Sequence, residues 1–246
     1  MAAWVILLLY PVVMSVVLDP RGLRLVRARR SGLMTPMELI ATRALLEKEL
    51  EGSGRWLLIG KLLLAGALLL MWMRHYDFTV ARLGIFSNHI GPFLLAGLVA
   101  GGLLVCVAMI FRKVMNHLPN ASKDPLVQPQ SRGPASLWLL TFFVGALFEE
   151  PWRALCLLSC GDAGWSRYVV VIVSSVFYVL ALEAGFPPRI SGSNFEDLWA
   201  FLAASFLAFL FLRFESVMVP FVASLAYSTL NFAFIRRHTR SSIGVP

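Results

Sequence analysis

Residues 135–160 read ASLWLLTFFVGALFEEPWRALCLLSC. Glu149, Glu150 and Arg153 stand between two apolar runs, Leu137–Leu147 and Ala154–Leu158. If a helix from about Trp138 to Ser159 crosses a bilayer, its carboxylates lie near the midplane. Ionised groups at that depth cost several kcal/mol unless they are paired or face a wet cavity. On a continuous helix Glu149 is i, i+4 from Arg153 and Glu150 is i, i+3, so one carboxylate can pair with the guanidinium. The other, left beside a like charge, suits a general base or acid. The competing reading is a purely structural ion pair that locks the helix into its bundle.

Six further apolar runs flank this one: Ala2–Leu18, Trp56–Met73, Gly91–Phe111, Tyr168–Leu182, Leu198–Leu212 and Val217–Ile235. A hydrocarbon core of ~30 Å takes roughly 20 helical residues. Several runs reach that length unaided, and the others do so with their polar ends. Backbone groups find no partners in lipid, so spanning segments are helices or closed barrels. Barrel strands alternate polar and apolar residues, and these runs do not. Composition agrees: 58% of the 246 residues are hydrophobic and 15% charged, against about 45–50% and 25% in soluble domains. The expected fold class is all-α, a polytopic transmembrane bundle of about seven spans.

The net charge of +8 does not point to nucleic acid, because of where the charges lie. Arg21, Arg24, Arg27, Arg29 and Arg30 follow the first run directly, as a cytoplasmic flank should. If the chain alternates from there, the inner segments 19–55, 112–134, 184–197 and 236–246 hold 16 Lys/Arg and the outer segments hold 4. The N-terminus is then outside and the C-terminus cytoplasmic. The basic segment also suits anionic lipid headgroups, at ~1 kcal/mol per residue. Met1–Leu18 lacks the basic start and small-residue cleavage site of a signal peptide, so it reads as a span. Cys156 and Cys160, one helical turn apart with no further ligands nearby, read as buried small residues rather than half of a zinc set.

Outside the runs, Thr35-Pro36-Met37-Glu38 forms a capping box. It opens an amphipathic helix to Glu51, with Met37, Ile40, Ala41 and Ala44 on one face. Such a helix fits the membrane surface, the bundle or a partner protein. Asn116–Gly133 reads as a cytoplasmic loop. The chain divides into 1–55, a span with its basic segment and amphipathic helix, and 56–246, a transmembrane core with a cytoplasmic tail.

Three motifs then follow in order: Glu149, Glu150 and Arg153; Ser174-Ser175 with Tyr178 and Leu182; and Tyr227 four residues before Asn231. With Arg82-Leu83-Gly84-Ile85 ahead of them, they resemble the core motifs of the CAAX-protease and bacteriocin-processing (CPBP, or Abi) family over about residues 76–235. That resemblance implies a helical intramembrane core, by implication in a bacterial inner membrane. In the family a glutamate activates water, while histidines and the asparagine hold a metal or the oxyanion. The family pattern carries one more residue between glutamates and arginine than this chain does. It also has Phe at Tyr178, and His at Leu182 and at Tyr227.

Leucine can neither ligate a metal nor shuttle a proton, and none of His75, His89, His117 and His238 lies in the apolar stretches that carry the motifs. Glu183 points about 100° away from Leu182 around a helix and reads as the polar end of its span. The family-matched positions Glu149, Glu150, Arg153, Tyr227 and Asn231 are nevertheless expected to meet in one interior cluster. The resulting expectation is a non-catalytic scaffold or subunit of a membrane complex, with a protein partner, no cofactor and no zinc site. The alternative is an active CAAX-protease-like endopeptidase using Glu149 or Glu150, for which a divalent metal would be needed. Transport, or binding of a lipid or pigment, are further uses of buried carboxylates.

Overall fold

The structure, a computed structural model, describes residues 3–18, 55–75, 77–85, 90–114, 135–184 and 194–243. Among these there are seven α-helices and no strand: α1 Ala3–Leu18, α2 Arg55–His75, α3 Ile90–Val114, α4 Ala135–Asp162, α5 Arg167–Ala184, α6 Asn194–Phe214 and α7 Met218–Ile243. A 3-10 turn, Val80–Leu83, lies between α2 and α3. The all-α expectation holds, and each helix occupies one of the seven apolar runs. Residues 19–54, including the Thr35–Glu51 segment, and residues 115–134, where the Asn116–Gly133 loop is expected, lie outside the described residues.

Three of the helices stop by the same device, a residue in the left-handed region that turns the chain back onto the last carbonyls. After α4, Gly164 takes φ 82°; its N–H reaches Gly161 O at 2.9 Å, and the Trp165 N–H reaches Cys160 O at 3.0 Å. After α2, Asp77 fills that role at φ 52°, with Phe78 N–H on Met73 O at 2.9 Å. After α6 it is Glu215, at φ 51°, with its own N–H on Phe211 O at 2.7 Å. The two non-glycine residues carry a steric cost that glycine escapes.

These turns meet at one end of the molecule. Val217 N–H donates to Leu83 O at 2.9 Å, and Ser216 Oγ donates to Gly84 O at 2.7 Å. Arg82 bonds both carboxylate oxygens of Asp162, at 3.1 and 2.9 Å. Gly84, at φ 64°, has no room for a side chain, since a Cβ would lie 2.2 Å from Glu215 O. The 3-10 turn therefore ties α4 to the α6–α7 connection.

The core has two main parts. One gathers Leu7 and Leu8 of α1, Leu69 and Met73 of α2, Trp152 to Leu157 and Cys160 of α4, Val170 of α5, and Ala208 and Phe211 of α6. The other joins Ala100 and Leu104 of α3 to Ala203, Leu207 and Leu210 of α6, and to Val219 and Ala223 of α7. α4 packs against α1, α2, α5, α6 and α7, and α3 packs chiefly against α7. The α3–α7 approach is set by Gly97 and Gly101, one turn apart. A Cβ at Gly97 would lie 2.6 Å from Val222 Cβ, and one at Gly101 would lie 2.7 Å from both Ala223 O and Ala226 Cβ. Small residues at this spacing let two helix backbones come close, which is how apolar helices gain contact in lipid.

The outer surface is apolar. On α3, Leu94, Leu95, Leu98, Val99, Leu103, Val107 and Ile110 are all exposed. On α2, Leu63, Leu64, Leu68, Leu70 and Met71 are exposed as well. Ile90–Lys113 is long and apolar enough to cross a membrane, and only 28% of its most apolar 18-residue stretch is buried. The core helix of a soluble protein would be mostly buried, so burial within the chain does not account for its hydrophobicity.

Candidate functional site

The charged motif lies at the centre of the helix that touches five others. Glu150 and Arg153 are each 1% exposed, and Arg153 Nη1 donates to Glu150 Oε2 in a buried i, i+3 ion pair. The guanidinium sits over the Tyr178 ring of α5, 5.0 Å from its centroid, a cation–π contact that strengthens where water is excluded. Tyr178 also donates its hydroxyl to Glu149 Oε2 at 2.9 Å. The two carboxylates therefore have different partners: Glu150 holds the arginine, and the half-buried Glu149 holds a phenol. Glu149 Oε1 turns back over Gly145, 3.7 Å from where a Cβ would be.

The helices that pack on α4 carry buried hydroxyls. Ser174 and Ser175 of α5 are fully buried. Ser174 Oγ donates to Val171 O at 3.2 Å, and Ser205 Oγ of α6 donates to Ser175 Oγ at 3.0 Å. Ser224 of α7 faces the Glu150 carboxylate without meeting hydrogen-bond geometry at Oε1.

The neighbours of the motif fix α4 on both sides. Phe148 lies against Gly66 of α2, where a Cβ would come 1.7 Å from its Cε1. Trp152 Nε1 donates to the Leu7 carbonyl of α1 at 2.7 Å. In a helix that carbonyl would accept from residue 11, but residue 11 is proline and has no N–H. The indole thus supplies the hydrogen bond that Pro11 removes, and it fastens α1 beside the ion pair.

Tyr227 and Asn231 use their polar groups elsewhere, between α3, α6 and α7. Tyr227 Oη accepts from Trp199 Nε1 at 2.6 Å. Asn231 Oδ1 accepts from Arg112 Nη1 at 2.8 Å, and Phe111 lies 6.0 Å from the Trp199 ring. The structure thus brings Glu149, Glu150 and Arg153 together and gives Tyr227 and Asn231 separate partners. The side chains of Leu182 and Glu183 lie outside what the structure describes, and among the described residues no three His, Cys, Asp or Glu side chains gather as a metal set.

Sequence reasoning missed several of these contacts. Tyr178 was legible only as a motif position and not as the partner of both Glu149 and Arg153. Trp199 and Arg112 carry no local signal for their contacts. The Gly97–Gly101 pair does carry one, a glycine four residues from another inside an apolar run. Compared with family models, with characterised proteins and with solved structures, the chain finds no match.

Proposed function

We infer that this chain is a polytopic helical membrane protein whose charged core is structural, and that it serves as a scaffold or subunit of a membrane complex rather than as a protease. One observation carries this reading: every family-matched polar side chain is engaged inside the bundle. Glu150 is committed to Arg153, Glu149 to Tyr178, Tyr227 to Trp199 and Asn231 to Arg112. A glutamate that activates water needs its carboxylate within reach of a reacting group. Here one carboxylate is sealed in an ion pair and the other already accepts a hydrogen bond.

The membrane part of the reading is supported by an inverted distribution of polarity. Charged residues are buried at the centre, while leucines, valines and isoleucines face outward on α2, α3, α4 and α5. An apolar girdle this extensive has to be covered by lipid or by protein. The Lys/Arg distribution supports an N-terminus outside and a C-terminus in the cytoplasm. The resemblance to the CPBP family fits a scaffold that has kept that architecture without its imidazoles.

The test is to incubate the purified protein in lipid with a broad peptide library, with and without chelator. No chelator-sensitive cleavage is expected. Mild extraction from the native membrane is expected to bring a stoichiometric protein partner. Chelator-sensitive cleavage that is lost in a folded Glu149→Gln or Glu150→Gln variant would establish the endopeptidase instead.

A further inference from the structure

The ion pair at the centre of the bundle does not satisfy itself. Arg153 Nη1 serves Glu150 Oε2, but Arg153 Nε and Nη2 and Glu150 Oε1 are buried with no hydrogen-bond partner among the described protein groups. Nε–H and Nη2–H form one edge of the planar guanidinium, a pair of parallel donors shaped to meet one or two oxygen atoms. Glu150 Oε1, one helical turn away, is an acceptor. Both residues are 1% exposed, so bulk solvent does not reach these atoms, and buried polar groups of native proteins are rarely left bare.

The chemistry of a molecule that would suit these three atoms follows from them. It has to accept from arginine and donate to a carboxylate. A cation has nothing to offer the two N–H groups. An anion would enter beside two carboxylates, Glu149 and Glu150, that face a single guanidinium. A neutral molecule that both donates and accepts meets the requirement, and the burial of the pair together with its α4 neighbours Trp152, Leu155 and Cys156 favours the smallest one. We propose that the Glu150–Arg153 pair holds ordered water sealed in the interior of the bundle, as an integral part of the ion pair. This rests on reading the pair as a structural element of a membrane-embedded bundle. Water bound there completes the hydrogen bonds of Arg153 Nε and Nη2 and of Glu150 Oε1 that no described side chain completes in good geometry.

Tyr178 is a built-in reporter, because its ring lies directly under the guanidinium. Radiolysis of water generates hydroxyl radicals that add to the nearest aromatic ring. The protein, in lipid nanodiscs, is mixed for milliseconds with H2(18)O, irradiated with a short X-ray pulse and mapped by mass spectrometry. The exposed Tyr168 should acquire (18)O from bulk solvent. Tyr178 should be labelled despite its setting, with (16)O from water that has not exchanged. The label at Tyr178 should be lost in a Glu150→Met/Arg153→Leu double variant, which removes the polar atoms together. An unlabelled Tyr178 in the wild-type protein overturns the proposal without any variant having to fold. So does a Tyr178 label that carries (18)O as fully as Tyr168. Neither outcome bears on whether the protein cleaves peptides, so the two readings fail separately.

Discussion

At the scale of single residues, the two adjacent glutamates are not equivalent. Glu150→Gln removes the counter-charge of a fully buried arginine, and stranding one member of such a pair costs about 3–5 kcal/mol. Glu149→Gln leaves an amide oxygen that still accepts from Tyr178, so it should cost about 1 kcal/mol or less. Unfolding of the two variants in a fixed detergent should rank them in that order; equal losses would mean that the pairing is wrong. The sequence made the presence of an ion pair legible, because charges in an apolar run have to be neutralised. It left the choice of glutamate open, because i, i+3 and i, i+4 both reach Arg153. Tyr178 settles that choice by taking Glu149, and it comes from α5, beyond the range of any local pattern.

At the scale of elements, the place of each helix was legible but not all of its ends. Each helix contains most of one apolar run, but α4 continues through Glu149–Arg153 to Asp162 and α7 continues past Arg236 to Ile243, because a charged residue ends an apolar run without ending helical hydrogen bonding. Contacts between helices were not legible, because they depend on which face meets which neighbour. The α3–α7 contact predicts that Gly97→Ala or Gly101→Ala destabilises the fold by about 1–3 kcal/mol through overpacking, measured as a fall in folded yield or melting temperature. Gly102, with nothing near its Cβ position, is the control and should tolerate alanine. The capping residues point the other way: Glu215→Gly should stabilise by about 1 kcal/mol, since glycine takes the left-handed conformation without strain. The α1–α4 contact gives a coupled prediction. Trp152→Phe should cost about 1–3 kcal/mol by orphaning the Leu7 carbonyl. It should cost less when Pro11 is already alanine, whose N–H can serve that carbonyl. A double-mutant cycle with no coupling would refute the link.

At the scale of the whole molecule, the surface and the charges outside it make one prediction. A cysteine introduced between residues 116 and 133 should react with an impermeant thiol reagent only from the cytoplasmic side. One introduced at Ala163, in the exposed turn after α4, should react only from the other side. Reversal of both would invert the orientation. The bonds that hold the molecule together also span long stretches of chain: 145 residues from Trp152 to Leu7, 132 from Ser216 to Gly84 and 119 from Arg112 to Asn231. A ribosome delivers α1, α2 and α3 long before their partners exist. When the last residue of α3, Val114, is added, Met218, the first residue of the helix that fits Gly97 and Gly101, is still about a hundred codons from translation. The first half of the protein therefore waits, unfinished, for the last helix to be made. An mRNA cut short before Ser216 yields α3 with its glycine face uncovered and the Leu83 and Gly84 carbonyls unclaimed, a product for quality control to remove.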